Sequence, residues 1–155
     1  MKKLMFAIVG AAILVSSGAL AQMDDAKAAC NKDAEAWRMT YNNHDADALA
    51  NMYEAKAGMF SSEFWTGTGH DAILAGFKAQ MSAGGPVTSI ICDHSNKTGA
   101  TIVSDGAWAA TMKGPDGKDA PVQGHWMAMT ETRNGKDVVL VHISNMQMPQ
   151  PQAMK

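Results

Sequence analysis

The hydrophobic pattern changes its period at Gly84-Gly85-Pro86, and this change divides the chain into a helical half and a strand half. Before it, apolar residues recur at helical spacing, which predicts helices over residues 24–43, 45–53 and 71–81. After it, segments rich in Val, Ile, Thr and Trp predict four strands, over residues 87–93, 100–112, 121–132 and 137–147.

The turn between the last two strands is explicit in the sequence. Asn134-Gly135 predicts a two-residue hairpin turn, because both central residues of a type I′ turn need positive φ. Three helices followed by a meander of this kind predict an α+β fold, with the helices packed on one face of a curved antiparallel sheet.

The N-terminal segment has the three parts of a secretory signal peptide. Two lysines precede an apolar run over residues 4–15, and the small residues Ala19 and Ala21 follow at the positions that signal peptidase reads. We therefore expect residues 1–21 to be removed, leaving Gln22 first, and the protein to be periplasmic or secreted. An uncleaved membrane anchor is the alternative, but a spanning helix needs about 20 apolar residues and residues 16–18 interrupt the run.

The mature chain is expected to hold one domain, over residues 22–148, followed by a disordered Pro- and Gln-rich tail over residues 149–155. The whole chain of 155 residues carries a net charge of −2 and has no basic cluster, so nucleic acid is not an expected partner. It has no amphipathic membrane-binding segment either, so we expect no membrane contact after signal cleavage.

Two cysteines, Cys30 and Cys92, remain in a compartment that oxidises thiols. They are far apart in the sequence and form no CxxC redox motif. A structural disulfide and two separate buried thiols are both compatible with this pattern.

Several short motifs, in their order and spacing, resemble the nuclear transport factor 2-like superfamily, and within it the SnoaL-like and steroid-isomerase-like proteins. They are Trp37, the run Asn42-Asn43-His44-Asp45-Ala46-Asp47-Ala48-Leu49, Tyr53, Gly69-His70-Asp71-Ala72-Ile73, Ser104-Asp105-Gly106-Ala107-Trp108, Gly124, Asn134-Gly135 and Asn145. The resemblance implies a cone-shaped sheet with three N-terminal helices on its concave face, an internal pocket, and a homodimer formed through the outer sheet face.

The residues that would carry isomerase chemistry in this superfamily are replaced. By the resemblance, Ser61 stands where isomerases have a carboxylate base, and Trp37 stands where they have an oxyanion-binding Tyr. Ser cannot act as a base unaided, and an indole is a far weaker acid than a phenol. Glu63 lies two residues further along and would restore the base if the alignment carried a gap.

Two histidines lie in the last predicted hairpin. A two-residue turn at Asn134-Gly135 would place His125 opposite Ser144 and His142 opposite Met127, so the two histidines would be diagonal neighbours on one face. Such a pair could bind a metal, exchange protons or lie at a dimer contact. No HxH or HExxH spacing supports a metal, and we expect no metal or cofactor.

Aromatic residues are numerous enough to line an apolar pocket, although any of them could simply fill the core. The candidate ligand-binding residues, with two polar side chains included, are Trp37, Tyr41, Phe60, Trp65, Phe77, His94, Trp108, Trp126 and Asn145.

Strict alternation divides the last hairpin into two faces. The face assigned to the cavity carries Trp126, Ala128, Thr130, Val139, Val141, Ile143 and Asn145. The face assigned to a dimer contact carries His125, Met127, Met129, Leu140 and His142.

Two functions follow. The favoured one is an exported domain that binds a small, largely apolar ligand without catalysis. The alternative is a SnoaL-like lyase or isomerase that uses a polar pocket residue such as His94 or Asn145. A buried His or carboxylate beside a second polar group on the cavity floor would favour the enzyme.

Overall fold

The computed structural model describes residues 17–62, 64–114 and 116–147, and along residues 17–24 it describes the helical backbone alone. Most of the expected signal peptide, Glu63 and the expected tail lie outside the described residues. Among the described residues, no helix combines the length and apolar character needed to cross a bilayer.

The described part of the chain forms three helices, α1 (Ser17–Asn42), α2 (Ala46–Ala50) and α3 (His70–Ala83). The Asp45 carboxylate accepts a hydrogen bond from the backbone N–H of Ala48 at 2.9 Å and so caps α2. The predicted extension of α2 to Tyr53 is wrong. That residue begins a strand, because it pairs with Val139 of the last strand.

Within the residues described, six strands form one sheet in the order β2-β1-β6-β5-β4-β3. They are β1 (Tyr53–Ser61), β2 (Thr66–Thr68), β3 (Val87–Thr98), β4 (Thr101–Lys113), β5 (Asp119–Arg133) and β6 (Lys136–Met146). The four predicted strands are present as β3 to β6, and the pairs are antiparallel except for β1 with β6. The sheet is curved and unclosed, so the α+β prediction is confirmed.

A β-bulge at Leu140 reverses the sheet face on which the side chains of the second half of β6 lie. Near the turn, Thr130 pairs with Val139, as a two-residue turn requires, but Met129 pairs with Val141. One extra residue reverses the alternation beyond it. The predicted faces are therefore wrong from this point onward: His142 lies on the concave face, and Val141, Ile143 and Asn145 lie on the convex face.

The core is densest where α2 and α3 pack beneath the sheet. Leu49, Ile73 and Phe77 have no exposed surface. Phe77 contacts the rings of Trp37 and Tyr53, so this core directly supports one wall of the space inside the sheet.

Helix α1 lies along β3, which is an edge strand of the sheet. A disulfide joins Cys30 of α1 to Cys92 of β3, with 6.1 Å between the two Cα atoms. The Asn42 side chain accepts from the backbone N–H of Val87 at 2.9 Å and donates to its carbonyl at 2.8 Å. The helix is thus fixed to the edge strand at both a covalent and a hydrogen-bonded point, and it covers the exposed strand edge.

Candidate functional site

A cavity of about 450 Å³ lies between α1 and the concave face of the sheet. This volume is within the range of small-molecule sites, roughly 300–1,000 Å³. Its wall is mainly apolar and aromatic, and includes Trp37, Tyr41, Met59, Ile90, Trp108 and Trp126.

Two tryptophans of the cavity wall are each paired with a glycine on the next strand. Trp108 pairs with Gly124, and its indole N–H donates to the carbonyl of His125 at 3.3 Å. Trp126 pairs with Gly106, and its indole N–H donates to the carbonyl of Ile91 at 3.1 Å. Both indole nitrogens are therefore satisfied by the backbone, which leaves the ring surfaces for the cavity.

Gly106→Ala is expected to lower the free energy of unfolding by about 1–3 kcal/mol, the usual cost of overpacking. A Cβ at this position would overlap the carbonyl oxygen of Ile91, which is backbone and cannot move independently. Urea denaturation measures the effect. Gly114→Ala is the control, since a Cβ there meets mainly the end of the Asp116 side chain. Equal stability of the two variants would contradict the packing described.

Three polar side chains meet at one wall of the cavity and form what we call the His142 cluster: Trp37 of α1, Tyr53 of β1 and His142 of β6. The indole N–H of Trp37 donates to the Tyr53 hydroxyl oxygen at 3.1 Å. The same oxygen lies 2.7 Å from Nδ1 of His142. Three elements that are distant in the sequence thus orient one imidazole.

Both titratable groups of the His142 cluster are uncharged at neutral pH. Burial lowers the pKa of His142 to about 4, and burial also raises the pKa of Tyr53, an effect that the hydrogen bond from Trp37 partly offsets. Because the Tyr53 hydroxyl proton has no other acceptor among the described residues, we assign it to Nδ1 of His142. The imidazole proton is then on Nε2, which has no described hydrogen-bond partner.

Ser61 is a second polar group on the cavity wall. The residue is 4% exposed, and its Oγ atom has no hydrogen-bond partner in the described part of the chain. Ser61 pairs with Ser144 across the parallel strands, and Met59 pairs with His142. Ser61 and His142 are therefore diagonal neighbours on the concave face, about 8 Å apart at the backbone, since the strands lie about 4.8 Å apart and two residues span about 6.6 Å.

Charged side chains lie at another part of the cavity, near the tips of the β3–β4 and β5–β6 hairpins. They are Asp25, Asp33, Lys97 and Asp137. Burial and the nearby Asp137 carboxylate raise the pKa of Asp33. Asp137 precedes His142 by five residues on β6, which corresponds to about 16 Å of strand. Asp137 is thus well separated from His142, whereas Asp33 lies one helical turn before Trp37 on α1.

Four of the predicted site residues line the cavity, namely Trp37, Tyr41, Trp108 and Trp126. Two more are packed behind it: Phe77 is fully buried, and Trp65 contacts it edge-on. Ligand binding by the lining residues stays a prediction.

The remaining three predicted site residues face outward. Phe60 is 44% exposed on the convex face, where Asn145 also lies. His94 is exposed, with Nδ1 3.1 Å from the Asp105 carboxylate, because a bulge between Cys92 and His94 shifts the alternation of β3.

The predicted pairing of His125 with His142 is wrong, since the bulge in β6 puts the two on opposite faces. Within the described ranges, no three His, Cys, Asp or Glu side chains come together as a metal site. Tyr53 and Ser61 belong to the site, but the sequence identified them only as positions that match the superfamily and not as candidate site residues. No residue near His142 in the sequence indicates the sheet face on which its side chain lies.

No protein-family model and no curated protein matches the chain. Solved structures share its fold. An NTF2-like protein with a cystatin-like fold from Novosphingobium aromaticivorans has a TM-score of 0.65 at 13% identity, over 88% of this chain and 92% of that one. A ketosteroid isomerase-like protein from Erwinia carotovora has a TM-score of 0.63 at 13% identity, over 86% and 100%. An NTF2-like protein of unknown function from Shewanella oneidensis has a TM-score of 0.62 at 15% identity, over 79% and 99%. The chain therefore has the NTF2-like fold.

Proposed function

We propose that this NTF2-like domain binds a small, largely apolar ligand in the cavity between α1 and the sheet. The observation that carries the proposal is an apolar cavity of about 450 Å³ whose wall also holds a few oriented polar groups. That combination is typical of small-molecule sites, in which apolar surface supplies affinity and a few polar groups supply orientation.

The chemistry of the cavity favours binding over proton transfer. General acid–base catalysis works best when the pKa of the catalytic group is near the operating pH. The pKa of His142, lowered to about 4, makes its imidazole a weak base at neutral pH. Ser61 in place of a carboxylate supplies no base either.

A lyase or isomerase is the second candidate, because His142 lies partly buried beside a second polar group, Tyr53. The two candidates differ in whether the protein removes a proton from its ligand. Incubation of 2-acetylnaphthalene with the protein in D₂O, followed by mass spectrometry, measures deuterium uptake at the methyl group next to the carbonyl. Binding alone predicts no uptake above the protein-free rate. Uptake that His142→Gln abolishes would favour the enzyme.

Ala128→Trp is expected to abolish binding of Nile red, an apolar dye whose fluorescence rises in apolar sites. Ala128 is buried, lines the cavity and pairs with His142, so an indole there would fill the space beside the His142 cluster. We expect at least a tenfold loss of affinity in a fluorescence titration, with circular dichroism unchanged.

The control for the dye experiment is Met127→Lys, which changes the next residue of the same strand but on the convex face, where Met127 is 49% exposed. It should leave the titration unchanged. If it removes the dye signal while Ala128→Trp does not, the dye binds outside and the cavity proposal fails.

We also propose that the protein is exported and cleaved after Ala21. The proposal rests on the charged start, the apolar run and the small residues before Gln22. Intact mass measurement of the protein from the periplasm or medium should give a chain that begins at Gln22. A mature species that still carries Met1 would reject it.

A homodimer through the convex face is proposed from the side chains exposed there. Phe60 and Met127 both pair with Ile143 across neighbouring strands, and the three are 44–49% exposed. Contiguous apolar surface of this kind is uncommon on monomers. A second copy of the same face would cover it symmetrically.

Met127→Lys should shift the protein to monomer in sedimentation velocity, because an unpaired charge is costly to bury. The matched control is Met39→Lys on α1, where Met39 is 54% exposed, and it should leave the mass unchanged. A monomeric wild type would refute the dimer.

A further inference from the structure

The proposed binding function leaves open what kind of ligand the cavity takes, and the unpaired polar atoms narrow the choice. We propose that the ligand carries one uncharged carbonyl or hydroxyl group, which is held between Oγ of Ser61 and Nε2 of His142. This proposal rests on the binding function above.

The first support is the state of Ser61. A buried hydroxyl without a partner costs about 1–3 kcal/mol, so buried polar groups are nearly always satisfied. Oγ of Ser61 is the only buried side-chain N or O atom within the described residues that lacks a partner, and Ser61 lies on the cavity wall. A ligand group in the cavity would satisfy it.

The second support is the geometry of the neighbouring donor. The proton on Nε2 of His142 is fixed there by the hydrogen bond that the Tyr53 hydroxyl donates to the other ring nitrogen, Nδ1. Because Ser61 and His142 are diagonal neighbours on one face, a single oxygen between them can contact both. A hydroxyl can both donate and accept, so Ser61 suits either a carbonyl or an alcohol.

The third support is the absence of a positive charge at this point. His142 is neutral, and Lys97, the one lysine or arginine among the described cavity-lining residues, lies near the hairpin tips with three aspartates. A carboxylate between Ser61 and His142 would be buried without a counter-ion, which is strongly unfavourable. The site should therefore prefer ketones, aldehydes or alcohols to carboxylates of the same shape.

Three naphthalenes of similar size test the preference by equilibrium dialysis at neutral pH: 2-acetylnaphthalene, 2-ethylnaphthalene and 2-naphthoate. We expect the ketone to bind at least tenfold more tightly than the carboxylate. Ser61→Ala should weaken ketone binding about five- to tenfold, the effect of one lost hydrogen bond, and leave 2-ethylnaphthalene unchanged.

Ser104→Ala is the matched control, because Ser104 also lines the cavity but is hydrogen-bonded to Ser95 at 2.9 Å. It should not alter the preference for the ketone. If none of the three compounds binds, the binding function fails and the ligand class with it. If all three bind and Ser61→Ala has no selective effect, or if the carboxylate binds best, the binding function stands and the proposed ligand class is wrong.

Discussion

Replacing both Cys30 and Cys92 by alanine is expected to lower the free energy of unfolding by about 4 kcal/mol. The disulfide joins residues 62 positions apart, and closing a loop of that length removes much of the conformational freedom of the unfolded chain. It also holds α1 against the edge strand, and α1 forms one wall of the cavity. Urea denaturation of the oxidised wild type and of the variant gives the difference.

The control for the disulfide prediction is the wild type measured with and without reductant. Reduced wild type should resemble the alanine variant. Thiol labelling of the unreduced wild type under denaturing conditions should find no free thiol. Two free thiols would contradict the bridge.

Lowering the pH from neutral to 4 is expected to cost about 3 kcal/mol of stability through His142 alone. Its pKa is about 4 in the folded protein and 6.5 in the unfolded chain, and each unit corresponds to about 1.4 kcal/mol. Between these values the unfolded state binds more protons than the folded state. The stabilisation is therefore complete above pH 6.5 and is lost as the pH falls towards 4.

Comparison of wild type with His142→Gln isolates this contribution, because both proteins share every other titrating group. Urea denaturation between pH 4 and 8 should show a steeper decline for wild type below pH 6.5. Parallel pH profiles would mean that His142 is not held neutral by the folded protein.

Much of the fold follows from local pattern, because period and turn chemistry are local properties. The helical spacing before Gly84 and the strand composition after it predicted three helices and four of the six strands. Asn134-Gly135 predicted the register next to the turn correctly. Tyr53 was assigned to a helix instead of a strand, because its strand state depends on pairing with β6, which is remote in the sequence.

The candidate site could be predicted only in part. Alternation assigns each residue of a strand to a face from its neighbours, so one unrecognised bulge puts every later residue on the wrong face. Trp126 precedes the bulge and was assigned correctly to the cavity, whereas His142 follows it and was assigned to the wrong face. No Gly or Pro marks Leu140 as the extra residue. The pairing of β1 with β6 is irregular at the same place, so the bulge is a property of three packed strands rather than of one local sequence.

The central claim is that the space between α1 and the sheet holds a small molecule. Native mass spectrometry of the wild type and of Ala128→Trp, both produced and purified from the same host cells, tests this directly. We expect the wild type to carry a non-covalent small-molecule adduct that is missing from Ala128→Trp. Identical spectra for the two proteins, whether both are bare or both carry the same adduct, would contradict the claim.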